Sequence, residues 1–163
     1  MKSNCSPTFH YTTMSNEDLL AFDFAQAAAP NAMCAIWCPV SQVELGLQIM
    51  KRNDFKFVTT AVWSKVTTSG APANCATKGA ILPQHELLLV GRRGAGIPIP
   101  KGVNRIPGVI TAVRQAHSQK PAVVHHELAR MFGQSKEGHN RVLLELFARR
   151  PEKGWKVWGN QAP

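Results

Sequence analysis

At 163 residues the chain has room for one domain with a real hydrophobic core, and its 44% hydrophobic content rules out a disordered tail. Nineteen Lys and Arg against ten Asp and Glu leave a formal charge of +9, which points to an anionic partner, nucleic acid ahead of a membrane surface. No apolar run approaches the roughly 20 residues needed to span a bilayer, and Met1 to Ser15 is polar, so neither export nor membrane insertion is expected and the expected location is cytoplasmic.

In chain order, Ser15 precedes Asp18 and an apolar run through Leu19, Leu20, Phe22 and Phe24, which predicts a helix capped by the Ser15 hydroxyl and ended by Pro30. Ala32 to Cys38 has the length and apolarity of a strand. Ser41 then caps a predicted helix carrying Val43, Leu45, Leu47, Ile49 and Met50. Phe55 to Trp63 is rich in Phe, Val and Thr and reads as the next strand, and Lys65 to Ile81 as a long polar loop. His85 to Gly91 contains the unbroken run Leu87 to Val90, as expected of a strand buried on both faces. Gly94 to Gly108, rich in Gly and Pro with several basic residues, reads as a second long loop. Pro121 opens a helix to about Phe132, Arg141 to Ala148 is another apolar strand, and Gly154 to Gln161 forms the tail.

This alternation implies a three-layer α/β domain with a mostly parallel sheet, occupying residues 1–163 as one unit. In such sheets ligands bind beyond the carboxyl ends of the strands, so the residues following Trp63, Ala148 and Trp158 are the places to look. Cys5, Cys34, Cys38 and Cys75 lack paired spacing and read as reduced thiols, with no metal site expected. Glycines 94 and 96 follow a strand without opening a helix, which argues against a phosphate loop.

Three stretches near the end form an ordered set: Ala116-His117-Ser118-Gln119-Lys120-Pro121 before a helix, Glu145-Leu146-Phe147-Ala148-Arg149-Arg150, and Gly154-Trp155 through Trp158-Gly159-Asn160. Upstream stand His85-Glu86, Val62-Trp63-Ser64-Lys65 and His10-Tyr11-Thr12-Thr13-Met14-Ser15. Together they resemble the S-adenosylmethionine-dependent N6-adenine methyltransferases, the family of the eukaryotic mRNA methyltransferase catalytic subunit and of many bacterial and phage DNA-modifying enzymes. The resemblance implies a Rossmann-like methyltransferase fold with permuted motif order and S-adenosyl-L-methionine as cofactor.

Carried onto this sequence, the resemblance makes Arg149, Asn160 and Gln161 the groups that hold the cofactor's ribose and nearby atoms, with Glu145 accepting a bond in the same pocket. Lys120 stands near the methionine carboxylate, where an ammonium suits an anion. Tyr11, Trp63, Lys65, Glu86, His117 and Ser118 fall on the substrate and gate side. Arg92, Arg93, Lys101 and Arg105 are candidates for phosphate contacts, against the plainer reading of a solvated basic loop. Trp155 and Trp158 suit either core or ligand, and His125 and His126 read as surface or core-edge residues of a helix.

One family motif is missing. The aspartates are Asp18, Asp23 and Asp54, and none is followed by proline, so the sequence holds no Asp-Pro-Pro-Trp. In the family that motif supplies the acceptors that align the weakly nucleophilic adenine amine, and it ends a strand in the middle of the sheet. The expectation is therefore a natural product that starts upstream of Met1, with a cofactor pocket but no catalysis in these residues alone. The alternative is a non-catalytic relative that binds nucleic acid or an active methyltransferase partner, in a homo- or hetero-oligomer.

Overall fold

The computed structural model describes residues 13–73, 80–115, 119–134, 140–148 and 150–159. Tyr11, His117, Ser118, Arg149, Asn160 and Gln161 lie outside the described residues, as do Cys5 and Cys75. The chain divides into two compact units, Met1–Ile97 with Pro107–Pro121, and Pro98–Ile106 with Ala122–Pro163.

The first unit begins with α1 (Asn16–Ala21), where the Ser15 hydroxyl accepts from the Asp18 amide at 3.0 Å, the cap expected from the sequence. β1 (Ala32–Cys38) has the predicted bounds. Ser41, expected to cap the next helix, instead lies inside a single 3-10 turn, Val40–Gln42. The cap of α2 (Val43–Arg52) is Gln42, which makes no side-chain capping bond. β2 (Lys56–Val66), β3 (His85–Arg93) and β4 (Val109–Val113) complete a four-stranded sheet in the order β1-β3-β2-β4.

The expected mostly parallel sheet is met only in part. β2 and β4 are parallel, but β3 runs antiparallel to both β1 and β2. The reason lies in the connections. Parallel neighbours need a crossover, which α2 supplies between β1 and β2, and these two strands do point the same way with β3 between them. Between β2 and β3 the described residues, 67–73 and 80–84, hold no helix, and β3 enters antiparallel to its neighbours. The result is a mixed α/β sheet.

Pairing register sorts the side chains by face, because successive residues of a strand alternate. Cys38, Met50, Phe55 and Leu89 form a buried cluster, with Ile36, Val43 and Leu87 packed against it. α2 approaches so closely that a Cβ on Gly46 would stand 2.7 Å from Leu89 Cδ1 and 3.2 Å from Cys38 Sγ. The opposite face holds Trp63, paired with Glu86 on one side and Ile110 on the other, and Ala61 paired with Leu88. Leu88, Leu89, Trp63 and Ile110 are all buried, so β3 is covered on both faces as its unbroken Leu run predicts.

Asn53, 1% exposed, fastens the segment after α1 to the end of α2. Its Oδ1 accepts from the Phe24 amide at 2.7 Å, and its Nδ2 donates to the carbonyls of Phe22 (3.3 Å) and Ile49 (3.0 Å).

The second unit is built on α3 (Ala122–Phe132) and a parallel pair, β5 (Leu143–Leu146) and β6 (Trp155–Trp158). β5 is shorter than the expected Arg141 to Ala148 strand because Phe147 turns into the left-handed region at φ 59°, which ends the extended chain. β6 lies within what the sequence shows as a tail. Among the described residues no helix is long and apolar enough to cross a membrane.

Candidate functional site

In the first unit the chemistry gathers on Glu86, at the start of β3 and beside the carboxyl ends of β1 and β2. Glu86 pairs in register with Trp63, and Lys65, two residues on, falls on the same face. Lys65 Nζ donates to Glu86 Oε1 at 2.7 Å, and Lys120 Nζ donates to Oε2 at 2.5 Å. The side chains are 12% (Lys65), 12% (Glu86) and 24% (Lys120) exposed, so the charges are shielded from solvent. Aromatic rings close the circuit. Lys65 Nζ stands 5.2 Å from the Trp63 ring centre and Lys120 Nζ 6.0 Å from that of Trp37, while the two indoles meet edge to face at 6.0 Å. Trp63 is held in turn by its Nε1–H, which donates to the Ala112 carbonyl at 3.0 Å.

Burial pushes the Glu86 carboxyl up, but Lys120 and Lys65 together outweigh it and hold it below the ordinary value. The residue is therefore ionised at neutral pH and too weak a base to take a proton there. Two ammonium groups on one carboxylate leave one positive charge over, which suits an incoming anion such as a carboxylate. The sequence singles out Lys65, Glu86 and Lys120 one by one, and the fold brings them together. Trp37 is the member that sequence reading misses, since inside β1 it resembles any core aromatic.

In the second unit Glu145 lies on the face of β5–β6 that also carries Leu143, Trp155 and Val157. His125 of α3 brings its Nε2 within 3.2 Å of Glu145 Oε1 and sets its ring edge-on to Trp155 at 5.3 Å. Phe147, the residue after β5, and Trp158, the last of β6, are 46% and 50% exposed and meet edge to face at 5.6 Å. In sequence they come just ahead of two of the places expected to receive a ligand, the residues that follow Ala148 and Trp158. A Cβ on Gly159 would lie 2.6 Å from the Ala148 carbonyl oxygen, so only glycine permits the approach that follows β6.

The basic candidates differ among themselves. Arg93 donates to the carbonyls of Ala25 (2.7 Å) and Ala28 (3.3 Å) and pairs with Asp54 at 3.0 Å, which binds its guanidinium into the first unit. Arg92 is exposed and reaches the Gly94 carbonyl at 3.0 Å. Lys101 and Arg105, in the second unit, are exposed. Burial pushes the Cys34 thiol up to about 12 and raises that of Cys38 as well, in keeping with inert strand residues. Among the described residues no three His, Cys, Asp or Glu side chains gather as metal ligands would.

Comparison with known proteins agrees with the motif set. The family model named MT-A70 matches residues 1–161. The chain is 28% identical over 159 residues to the type II methyltransferase M.MunI of a Mycoplasma species, covering 97% of this chain and 62% of that protein. It is also 28% identical over 151 residues to the N6-methyladenosine RNA methyltransferase MTA1 of Cryphonectria parasitica, covering 89% of this chain and 42% of that protein. The chain thus spans less than two thirds of the length of either relative.

Proposed function

Since the chain belongs to the MT-A70 family, we propose that it carries the cofactor side of an enzyme transferring a methyl group to the N6 amine of adenine in DNA or RNA. Methyltransferases of this family draw that methyl from S-adenosyl-L-methionine, whose sulfonium supplies an electrophilic carbon. The donor set fits such a molecule. The observation that carries the reading is the pair of lysines on Glu86, whose surplus positive charge complements an amino-acid carboxylate. Lys120 is the ammonium that meets that carboxylate, while Lys65 and Glu86 hold it in place. Glu145, with Arg149, Asn160 and Gln161, takes the ribose hydroxyls and neighbouring atoms. Tyr11, His117 and Ser118 border the entry of the base, Trp63, 2% exposed, supports Lys65 from within the core, and Lys101, Arg105 and Arg92 contact phosphates.

The proposed architecture is a single Rossmann-like methyltransferase domain, completed by a central strand and an Asp-Pro-Pro-Trp turn from outside these 163 residues. The absence of that motif from the sequence supports two further statements. The chain by itself transfers no methyl group, because its sequence holds no Asp-Pro-Pro-Trp to supply the acceptors that align the amine. A protein of this kind that never gains the motif serves instead as a binding subunit for nucleic acid or for an active methyltransferase. Incorporation of tritiated methyl into adenine-containing DNA and RNA separates the two. Transfer by an upstream-extended chain and none by the 163 residues supports the enzyme; no transfer by either, with nucleic acid bound, supports the subunit. Efficient transfer by the 163 residues alone would sink the reading of the missing motif.

A further inference from the structure

We propose that His125 is a positioning residue for Glu145, acting as the neutral imidazole with its proton on Nε2. The role rests on the assignment of Glu145 to the cofactor's ribose.

The protonation state follows from what surrounds the ring. His125 Nε2 lies 3.2 Å from Glu145 Oε1, and the two side chains are 15% and 29% exposed. His125 Nδ1 is buried and has no hydrogen-bond partner among the described residues. Trp155 closes one side of the ring with an edge-on contact at 79°, and no hydrogen bond joins its indole to Nδ1.

Three states are open to an imidazole. The imidazolium would satisfy Nε2–H on Glu145 but bury a second N–H, on Nδ1, without an acceptor. The Nδ1–H tautomer would bury the same unpaired donor and turn the Nε2 lone pair toward a carboxylate oxygen. The Nε2–H tautomer alone makes its donor bond and leaves unpaired only a lone pair, the least costly group to bury unmatched.

Glu145 gains two properties from this partner. Oε1 is pinned by a donor from α3, which removes rotamer freedom from a side chain on a strand and leaves the second carboxylate oxygen to accept a hydroxyl. The donor is neutral, so the carboxylate keeps its full negative charge for the vicinal diol it is to receive.

The tautomer can be read directly. Long-range proton–nitrogen correlation on the 163-residue chain with labelled histidine should show the Nε2–H pattern for His125 at neutral pH, assigned by its loss in His125→Gln. An Nδ1–H or imidazolium pattern overturns the proposal. Calorimetry with S-adenosylhomocysteine tests the consequence. His125→Phe keeps a ring against Trp155 but has no donor, and should weaken binding about fivefold, the worth of one hydrogen bond. His125→Gln restores an N–H at similar reach and should stay within about twofold of the parent by the same measure. Combined with Glu145→Gln, His125→Phe should add no further loss, because the donor acts only through the carboxylate; additive losses contradict this. If Glu145→Gln weakens binding while His125→Phe does not, the positioning role fails and the ribose assignment stands. If Glu145→Gln binds like the parent, the ribose assignment fails and takes the role with it.

Discussion

Replacing Glu86 by Gln removes the charge that two ammonium groups share while keeping the shape of the side chain. The carboxylate is 12% exposed and accepts from Lys65 at 2.7 Å and from Lys120 at 2.5 Å, so the variant leaves two shielded cations facing a neutral amide. A pair of unit charges about 4 Å apart interacts by about 4 kcal/mol at an effective dielectric of about 20, and the desolvation already spent offsets part of this. Removing one partner of such a group typically costs about 3 kcal/mol. For a chain of this size that corresponds to a fall in Tm of roughly 6 to 12 °C. The pH dependence gives the sharper check. The folded carboxyl titrates below its unfolded value because Lys120 and Lys65 outweigh its burial. Its stabilisation is therefore complete above the unfolded value, about 4.3, and is lost as pH falls through the lower folded one. Urea unfolding of parent and Glu86→Gln at pH 7 and at pH 3.5 should show a gap that narrows in acid. A gap of the same size at both, or one below about 0.5 kcal/mol at pH 7, would refute the view that charge pairing holds this cluster together.

Asn53→Ala should lower unfolding free energy by about 2 to 3 kcal/mol in urea titration, since it strands the Phe24 amide and the Phe22 and Ile49 carbonyls. Trp63→Phe, which keeps the ring packing and loses the bond to the Ala112 carbonyl, should cost about 1 to 2 kcal/mol in the same assay. Cys34, with its thiol pushed up to about 12 by burial, should resist alkylation by iodoacetamide at pH 8 in the folded chain and react once urea unfolds it. Lys101→Ala with Arg105→Ala should weaken binding of a fluorescent oligonucleotide evenly across sequences and lower the slope of log K against log salt by about 1 to 2.

Much of the fold can be read from apolar runs. Ala32 to Cys38 and the Leu run of β3 are short unbroken apolar runs, of strand length and buried in a sheet although Ala, Met and Leu also suit a helix, and Ser15 caps α1 with the bond its position implies. Strand direction is another matter. Periodicity carries no sign, and the insertion of β3 between β1 and β2 is set by pairing across a long connection, which the apolar pattern does not encode. Val109–Val113 escapes notice although its Val, Ile and Thr favour a strand, because it follows directly on a loop dense in Gly and Pro. Within the site, Lys65, Glu86 and Lys120 are each recognisable by motif. Their union is not, since Glu86 lies 21 residues from Lys65 and 34 from Lys120 and only the register joins them. His125 is legible no further than as a core-edge residue; its bond to Glu145 arises from α3 packing on β5 and β6. Asn53 illustrates the same limit, as a polar residue buried for reasons that exist only in three dimensions.

The claim that these residues form the cofactor side of a methyltransferase is tested most directly by calorimetric titration of the 163-residue chain with S-adenosyl-L-methionine. Saturable binding is expected, weakened by Arg149→Ala and by Lys120→Ala while adenosine binding by Lys120→Ala stays as in the parent, because that lysine meets the carboxylate alone. Absence of binding by a folded parent chain, or affinity for S-adenosyl-L-methionine as high as the parent's in both variants, would contradict it.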